Sequence, residues 1–289
     1  MMTGSMKPDT SILMRDTMNT MDWVAFILAL VGALAWTPQI ITWISRALTK
    51  PKLSIYLHTE PEIGYTFFGP IFNIKCALLS KHKDTIINKF SAIITHENGA
   101  SYKFDWVGIS EDLSQIQSPL GETVSIKKTS LPLVIKVLNT GVSQASVRFM
   151  PLKFSEKLKE GSVDAIKRYN FMKTSGQLST VDEVDALLSE QHFEDVMKVF
   201  ESEFIWIAGK YTVKFEFGSP NKFKYEKDEY TFELKQEDIN ELKNNISNIK
   251  LDIEQRAKSD NISDFKPKPI NWIWRSPELR KKGQVEIIE

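Results

Sequence analysis

Charge is missing from residue 23 to residue 45. Asp22 and Arg46 bracket a run, Trp23–Ser45, in which every position is apolar or uncharged. At about 1.5 Å per helical residue the run is about 34 Å long, enough for a hydrocarbon core of about 30 Å. Trp23 and Trp43 stand near its ends, where indole rings settle at headgroup depth. The pattern predicts a membrane anchor over 22–48 behind a short disordered leader, 1–21. Trp36 closes the most apolar stretch, and Pro38 follows between Thr37 and Gln39. Two geometries fit. One is a kinked spanning helix with its freed carbonyl satisfied locally. The other is a shorter helix followed by an interfacial one over 38–48, with Ile40, Ile41, Trp43 and Ile44 as its apolar face. A cleaved signal peptide is a rival, with Ala33-Leu34-Ala35 as a small-residue cleavage site. Against it, the leader sets Asp9, Asp16 and Asp22 against only Lys7 and Arg15, and the apolar run continues past that site. A buried helix of a soluble protein is the third reading. Arg46, Lys50 and Lys52 follow the run with no acid before Glu60, which predicts a cytoplasmic domain and an outside N-terminus. Six of the nine methionines fall in the first 21 residues, so Met21 is a candidate start.

From Lys52 the apolar period changes to two. Leu53, Ile55 and Leu57 alternate with polar residues, as do Phe72, Ile74, Cys76 and Leu78. Runs over 86–95, 102–106, 124–126, 131–138 and 145–149 read as further strands. Glu97-Asn98-Gly99 supplies a hairpin turn, and Pro132 suits the start of a strand. Residues 152–171 read as helical with an interruption at Gly161. Thr180-Val181-Asp182-Glu183 matches a capping box ahead of a helix reaching residue 204. Period two returns at Tyr211, Val213, Phe215 and Phe217, and again at Tyr230, Phe232 and Leu234. Ile239, Leu242, Ile246, Ile249 and Ile253 then step by three and four, a two-heptad seam. The segment ends in a Lys-Pro linker and Asn271-Trp272-Ile273-Trp274-Arg275.

The 289 residues carry 37 basic and 37 acidic side chains, so nothing draws the chain as a whole to nucleic acid. One cysteine excludes an intrachain disulfide and fits a reducing compartment. Cys76 shares its strand face with Phe72, Ile74 and Leu78, which predicts a buried structural thiol. None of His58, His82, His96 and His192 has another histidine three to five residues away, so no zinc site follows from local spacing. His96 reads as a solvated loop residue. No phosphate-binding, dinucleotide-binding or serine-hydrolase motif occurs. No catalytic residue, metal ligand or cofactor is nominated, and the chain reads as non-enzymatic. The helix over 181–204 sets eight acids against Lys198. It reads as a solvated face, with a basic partner or a divalent ion as alternatives. The isoleucine seam drives either self-association or docking within the domain. Trp272 and Trp274, with Arg275 and Arg280-Lys281-Lys282, pack on the domain as a final strand or touch a membrane interface. The sequons at Asn245 and Asn261 carry no weight in a cytoplasmic domain.

Gly209-Lys210-Tyr211-Thr212-Val213 resembles the segment before a late strand of immunoglobulin-like sandwiches, where a tyrosine tethers a corner. The fold expected is mainly β with a helical insertion (α+β). An N-terminal transmembrane helix precedes an antiparallel immunoglobulin-like β-sandwich over 51–235, with the insertion at 151–206. An amphipathic helix, 236–258, and a tail, 259–289, complete it. The layout resembles small membrane-anchored accessory proteins of bacterial type. The expected role is a single-pass plasma (inner) membrane protein whose cytoplasmic domain is a scaffold or accessory module. Its partners would be the lipid bilayer, an unidentified protein and, through the seam, a homo-oligomer, but not nucleic acid. The alternative is an immunity-type effector or sensor whose anchors cluster and perturb the bilayer, suggested by Gly32, Thr37, Pro38 and the seam.

Overall fold

The computed structural model describes residues 20–117, 123–131 and 133–283. The expected disorder of the leader at 1–19 and the role of Pro132 lie outside the described residues, as do 118–122 and 284–289. The chain divides into two compact units, Met1–Thr49 and Lys50–Glu289.

In the first unit one helix, α1 (Thr20–Leu48), runs unbroken through Pro38. Proline removes one amide donor and leaves the Leu34 carbonyl without its helical partner. The helix tolerates the loss, and the Thr42 hydroxyl adds a bond to the Pro38 carbonyl at 2.7 Å. The shorter helix followed by an interfacial one is therefore not the conformation seen. Trp23, Trp36, Pro38 and Trp43 are all exposed, and the Trp23 ring meets that of Phe26 edge to face at 6.1 Å. Arg46 lies in the helix backbone, and its side chain is outside the described residues. Among the described residues this is the one helix long and apolar enough to cross a membrane.

The second unit opens with β1 (Lys52–Leu57), β2 (Glu62–Thr66), β3 (Gly69–Lys81), β4 (Thr85–Ile87) and β5 (Lys89–His96). It continues with β6 (Ser101–Gln117), β7 (Thr123–Ser130), β8 (Ile135–Val137) and β9 (Ser143–Met150). Four helices follow: α2 (Leu152–Gly161), α3 (Val163–Thr174), α4 (Val181–Leu188) and α5 (Gln191–Ser202). Then come β10 (Gly209–Gly218), β11 (Lys224–Tyr225), β12 (Glu229–Leu234) and α6 (Gln236–Asn261). Two short strands, β13 (Trp274–Arg275) and β14 (Arg280–Lys281), end the described chain.

Twelve of these strands form one curled sheet. Its main path is β11-β1-β3-β9-β6-β5-β10-β12-β14, with β2 and β13 attached beside β3 and β7 beside β6; β4 and β8 pair separately. The immunoglobulin-like sandwich expected from the sequence is not confirmed, because hydrogen bonds join the strands into a single sheet. Two long strands explain this. β3 pairs β2 through its first residues and β1 through its last, with β9 on the other side. β6 serves β5, β9 and β7 in turn, with register shifts at Trp106/Gly108 and Asp112/Ser114 that twist it. β11, in the connection between β10 and β12, pairs in parallel with β1, so the last hairpin reaches back to the first strand. Phe72 of β3 stacks on Phe232 of β12 inside the curl, centroids 6.1 Å apart. Phe90, Phe149 and Phe215 fill the same interior.

Several segments differ from expectation. The run over 86–95 is two strands, because Asn88 donates its amide to Gly218 and lets β4 leave the sheet for β8. Within 131–138 only Ile135–Val137 is a strand; Leu131 and Leu133 point to solvent. The acidic helix is broken between α4 and α5, where Ser189 caps one helix and Glu190 turns extended to start the next. The capping box forms: the Glu183 amide donates to the Thr180 hydroxyl at 3.3 Å and the Thr180 amide to the Glu183 carboxylate at 3.0 Å. The Tyr211 corner also forms, its hydroxyl bonding both the amide and the carbonyl of Ile207 at 2.8 Å. Cys76 is buried, and desolvation pushes its thiol up to about 12.

Beyond α6 the chain doubles back as a strap. Asn245, fully buried, accepts from the Ile273 amide at 2.9 Å and donates to its carbonyl at 2.7 Å. The Trp274 ring lies so close to Gly64 that a Cβ there would sit 2.4 Å from it. β13 then pairs β2, and β14 pairs β12. Both tryptophans are thus spent on the domain, and Asn245 is closed to glycosylation.

Two outcomes follow. Asn245→Ala strands the Ile273 amide and carbonyl, and urea denaturation is expected to show a loss of about 2–4 kcal/mol. A loss under about 0.5 kcal/mol would mean the strap holds without the clamp. A thiol-specific reagent at neutral pH should modify Cys76 only as fast as the native chain opens, and at once in denaturant.

Candidate functional site

The helices and the β2–β3 turn share a second apolar cluster, separate from the interior of the curl. Tyr65, Phe154, Ala165, Val196, Phe200 and Ile249 are its buried members. Local sequence explains how they meet. Gly161, between α2 and α3, faces Val199 of α5, where a Cβ would lie 2.6 Å from a methyl group. Glycine there lets α2 close on α5. Tyr65 donates its hydroxyl to the Phe200 carbonyl at 2.6 Å, satisfying an orphan acceptor near the end of α5. Burial, with the Glu203 carboxylate second, pushes that phenol well above its ordinary range.

Above this cluster lies an open groove of about 830 Å³ between α2, α3, α5, α6 and the β2–β3 turn. Phe67, Phe68, Leu158, Ile166, Met197 and Ile253 are among its apolar lining. Phe68 and Ile166 remain more than half exposed, at 54% and 52%. The Arg256 guanidinium sits 5.6 Å from the Phe67 ring centroid and pairs with Asp252 at 3.0 Å.

The groove rim is acidic once internal pairs are removed. Lys198 is held by Asp195 and Arg256 by Asp252. Among the described residues Glu194, Glu201, Glu254 and Asp260 have no ion-pair partner within 4 Å, and only Lys159 and Lys250 stand against them in the same state. Elsewhere the one-sided charge of 181–204 is answered by neighbouring helices. Lys258 reaches Asp185 at 2.6 Å, Lys157 reaches Glu203 at 2.5 Å, and Arg168 forks onto Glu190 at 2.7–3.1 Å. That fork holds the Glu190 carboxyl below its ordinary range.

The seam residues have been used inside the domain. Ile239, Leu242 and Ile249 are buried, and Ile246 and Ile253 are half-buried and line the groove. Three of the five seam positions are thus packed within the domain, and the other two face the groove. The anchor residues belong to the other unit. His96 is not a solvated loop residue: it is buried, 3.2 Å from the Ala208 carbonyl and packed on Tyr211. Its other ring nitrogen accepts from the Asn98 amide, so the turn itself closes over the ring. Among the described residues no group of three or more His, Cys, Asp or Glu side chains could hold a metal ion. Sequence reasoning missed Phe67, Phe68 and Ile166. Phe67-Phe68 just before the Gly69-Pro70 break was the available signal, since two aromatics in a tight turn need an apolar neighbour.

An environment-sensitive apolar dye should bind the groove at about one per chain, and Met197→Trp or Ile166→Lys should lower its affinity about tenfold without changing the melting temperature. Fluorescence titration reads both. The Arg168–Glu190 fork adds a pH signature. A depressed carboxyl contributes stability that is full above the unfolded value near 4.5 and lost as pH falls through the lower folded value. Melting temperatures of wild type and Glu190→Gln should therefore differ most at neutral pH and converge in acid.

No protein-family model, curated protein or solved structure matches this chain.

Proposed function

We propose that the protein is a single-pass membrane-anchored binding module, non-enzymatic, whose cytoplasmic domain captures one amphipathic helix of a protein partner. The groove carries this reading. It is apolar along its length, and its α6 wall from Ile246 to Asp260 spans about 21 Å, the length of about four helical turns. Helix-in-groove recognition needs such a trough. The surplus of unpaired acids on the rim selects a helix with basic flanks. This joins the acidic surface of α5 to the site and favours a basic protein partner over a divalent ion.

The reading places the chain in the plasma (inner) membrane with its domain on the cytoplasmic side, a side supported by the basic residues that follow α1. The burial of Ile239, Leu242 and Ile249 within the domain favours the binding-module reading over an effector whose seam pairs between chains.

Two measurements test the proposal. With an epitope tag after Glu289, intact spheroplasts should protect the tag from protease until the membrane is opened; immediate digestion would place the domain outside. A photo-crosslinker at Ile166 should give a discrete protein adduct in cells that Met197→Trp abolishes, while one at Asn98 gives none. Absence of any adduct from Ile166 would contradict the proposal.

A further inference from the structure

Five apolar side chains between β7 and β9 have no place in the core. Leu131 and Leu133 are 82% and 83% exposed, and Val134, Leu138 and Val142 also face solvent. They flank the β4–β8 pair, whose Ile87 and Val137 are fully buried and close one end of the curl. The segment is not loose. The Asn139 amide donates to Asp84 at 3.0 Å, and Lys136 pairs with the same carboxylate at 3.4 Å. A held loop that turns five large apolar groups outward is unusual for a surface meant to meet only water.

Strand register identifies which end of the sheet this is. Lys52, the first residue of β1, stands opposite Lys81 of β3 and Lys224 of β11. Ser143 pairs with Leu78, three residues before Lys81, and Lys89 pairs with Gly218. The apolar loop therefore shares its end with the start of β1, and three residues separate β1 from α1 in the chain. The groove, bounded by the β2–β3 turn, belongs to the opposite end.

The same end is basic. Lys50, Lys81, Lys89, Lys222, Lys224 and Lys227 have no carboxylate in ion-pair contact among the described residues. Among the residues whose side chains are described, Glu226, Asp84 and Asp228 at this end are already paired with Lys52, Lys136 and Lys281. Exposed leucines at an end of the sheet that also carries unpaired lysines match a surface that enters the interface of an anionic leaflet. We infer that this end of the sheet is a second membrane contact that docks on anionic lipid, with the groove at the end away from the bilayer. The inference rests on α1 being a membrane anchor. Charge and continuity with that anchor favour lipid over a protein partner.

The test uses the full chain in vesicles, with a bimane fluorophore at Leu133→Cys or Asn98→Cys in a Cys76→Ala background, and lipids carrying a quencher at shallow acyl depth. In phosphatidylglycerol vesicles the Leu133 probe should be quenched about twofold or more and the Asn98 probe hardly at all. Leu131→Ser with Val134→Ser, both at exposed positions, should remove the quenching while the chain still floats with the vesicles. Flotation without quenching at Leu133 would overturn the inference and leave the anchor standing. Failure to float would remove the anchor and the inference together. Equal quenching in phosphatidylcholine would overturn the anionic assignment, and equal quenching at Asn98 would overturn the oriented contact.

Discussion

An apolar helix exposed along its length favours a low-dielectric environment, and the reading of this protein depends on that constraint. Along α1, side chains such as Phe26, Ile27, Leu28, Leu30, Val31 and Leu34 are all exposed. Each costs about 1.5–3 kcal/mol in water relative to apolar surroundings. No rearrangement within a 23-residue uncharged run removes that cost, whereas a bilayer does so at once. Even Pro38 fits, because one missing backbone bond is small beside the burial of so many side chains.

The domain behind the helix solves a different problem, the management of sheet edges. A curled sheet with β1 at one side and β12 at the other would present open backbone at both. The β10–β12 connection covers β1 with β11, and the C-terminal strap covers β2 with β13 and β12 with β14. Asn245 makes this economical. One buried amide supplies the donor and acceptor that a neighbouring strand would have offered to Ile273. With its edges covered in part, the domain has two further surfaces to explain: the helical groove at one end and the leucine loop at the other.

Local signals were legible in the sequence wherever the physics was local. The Thr180–Glu183 capping box, the hairpin at Gly99 with its φ of +93°, and the Tyr211 corner all form as their residues imply. β2 was invisible because Ile63, Gly64, Tyr65 and Thr66 are buried on both faces, so no alternation marks them. The isoleucine seam was visible, but spacing cannot name the partner. Sheet and helices of the same chain reached it first. The 131–138 run misled for the opposite reason. Apolar composition implied burial, but the chain leaves β7 before those residues and only Ile135 and Val137 turn inward.

The most direct test of the account is the behaviour of the full chain during alkaline carbonate extraction of cell membranes, followed by immunoblotting. An integral anchor keeps the protein with the sedimented bilayer after peripheral proteins have been stripped. Recovery in the soluble fraction would mean that α1 does not span, and the reading of both ends of the domain would have to be rebuilt.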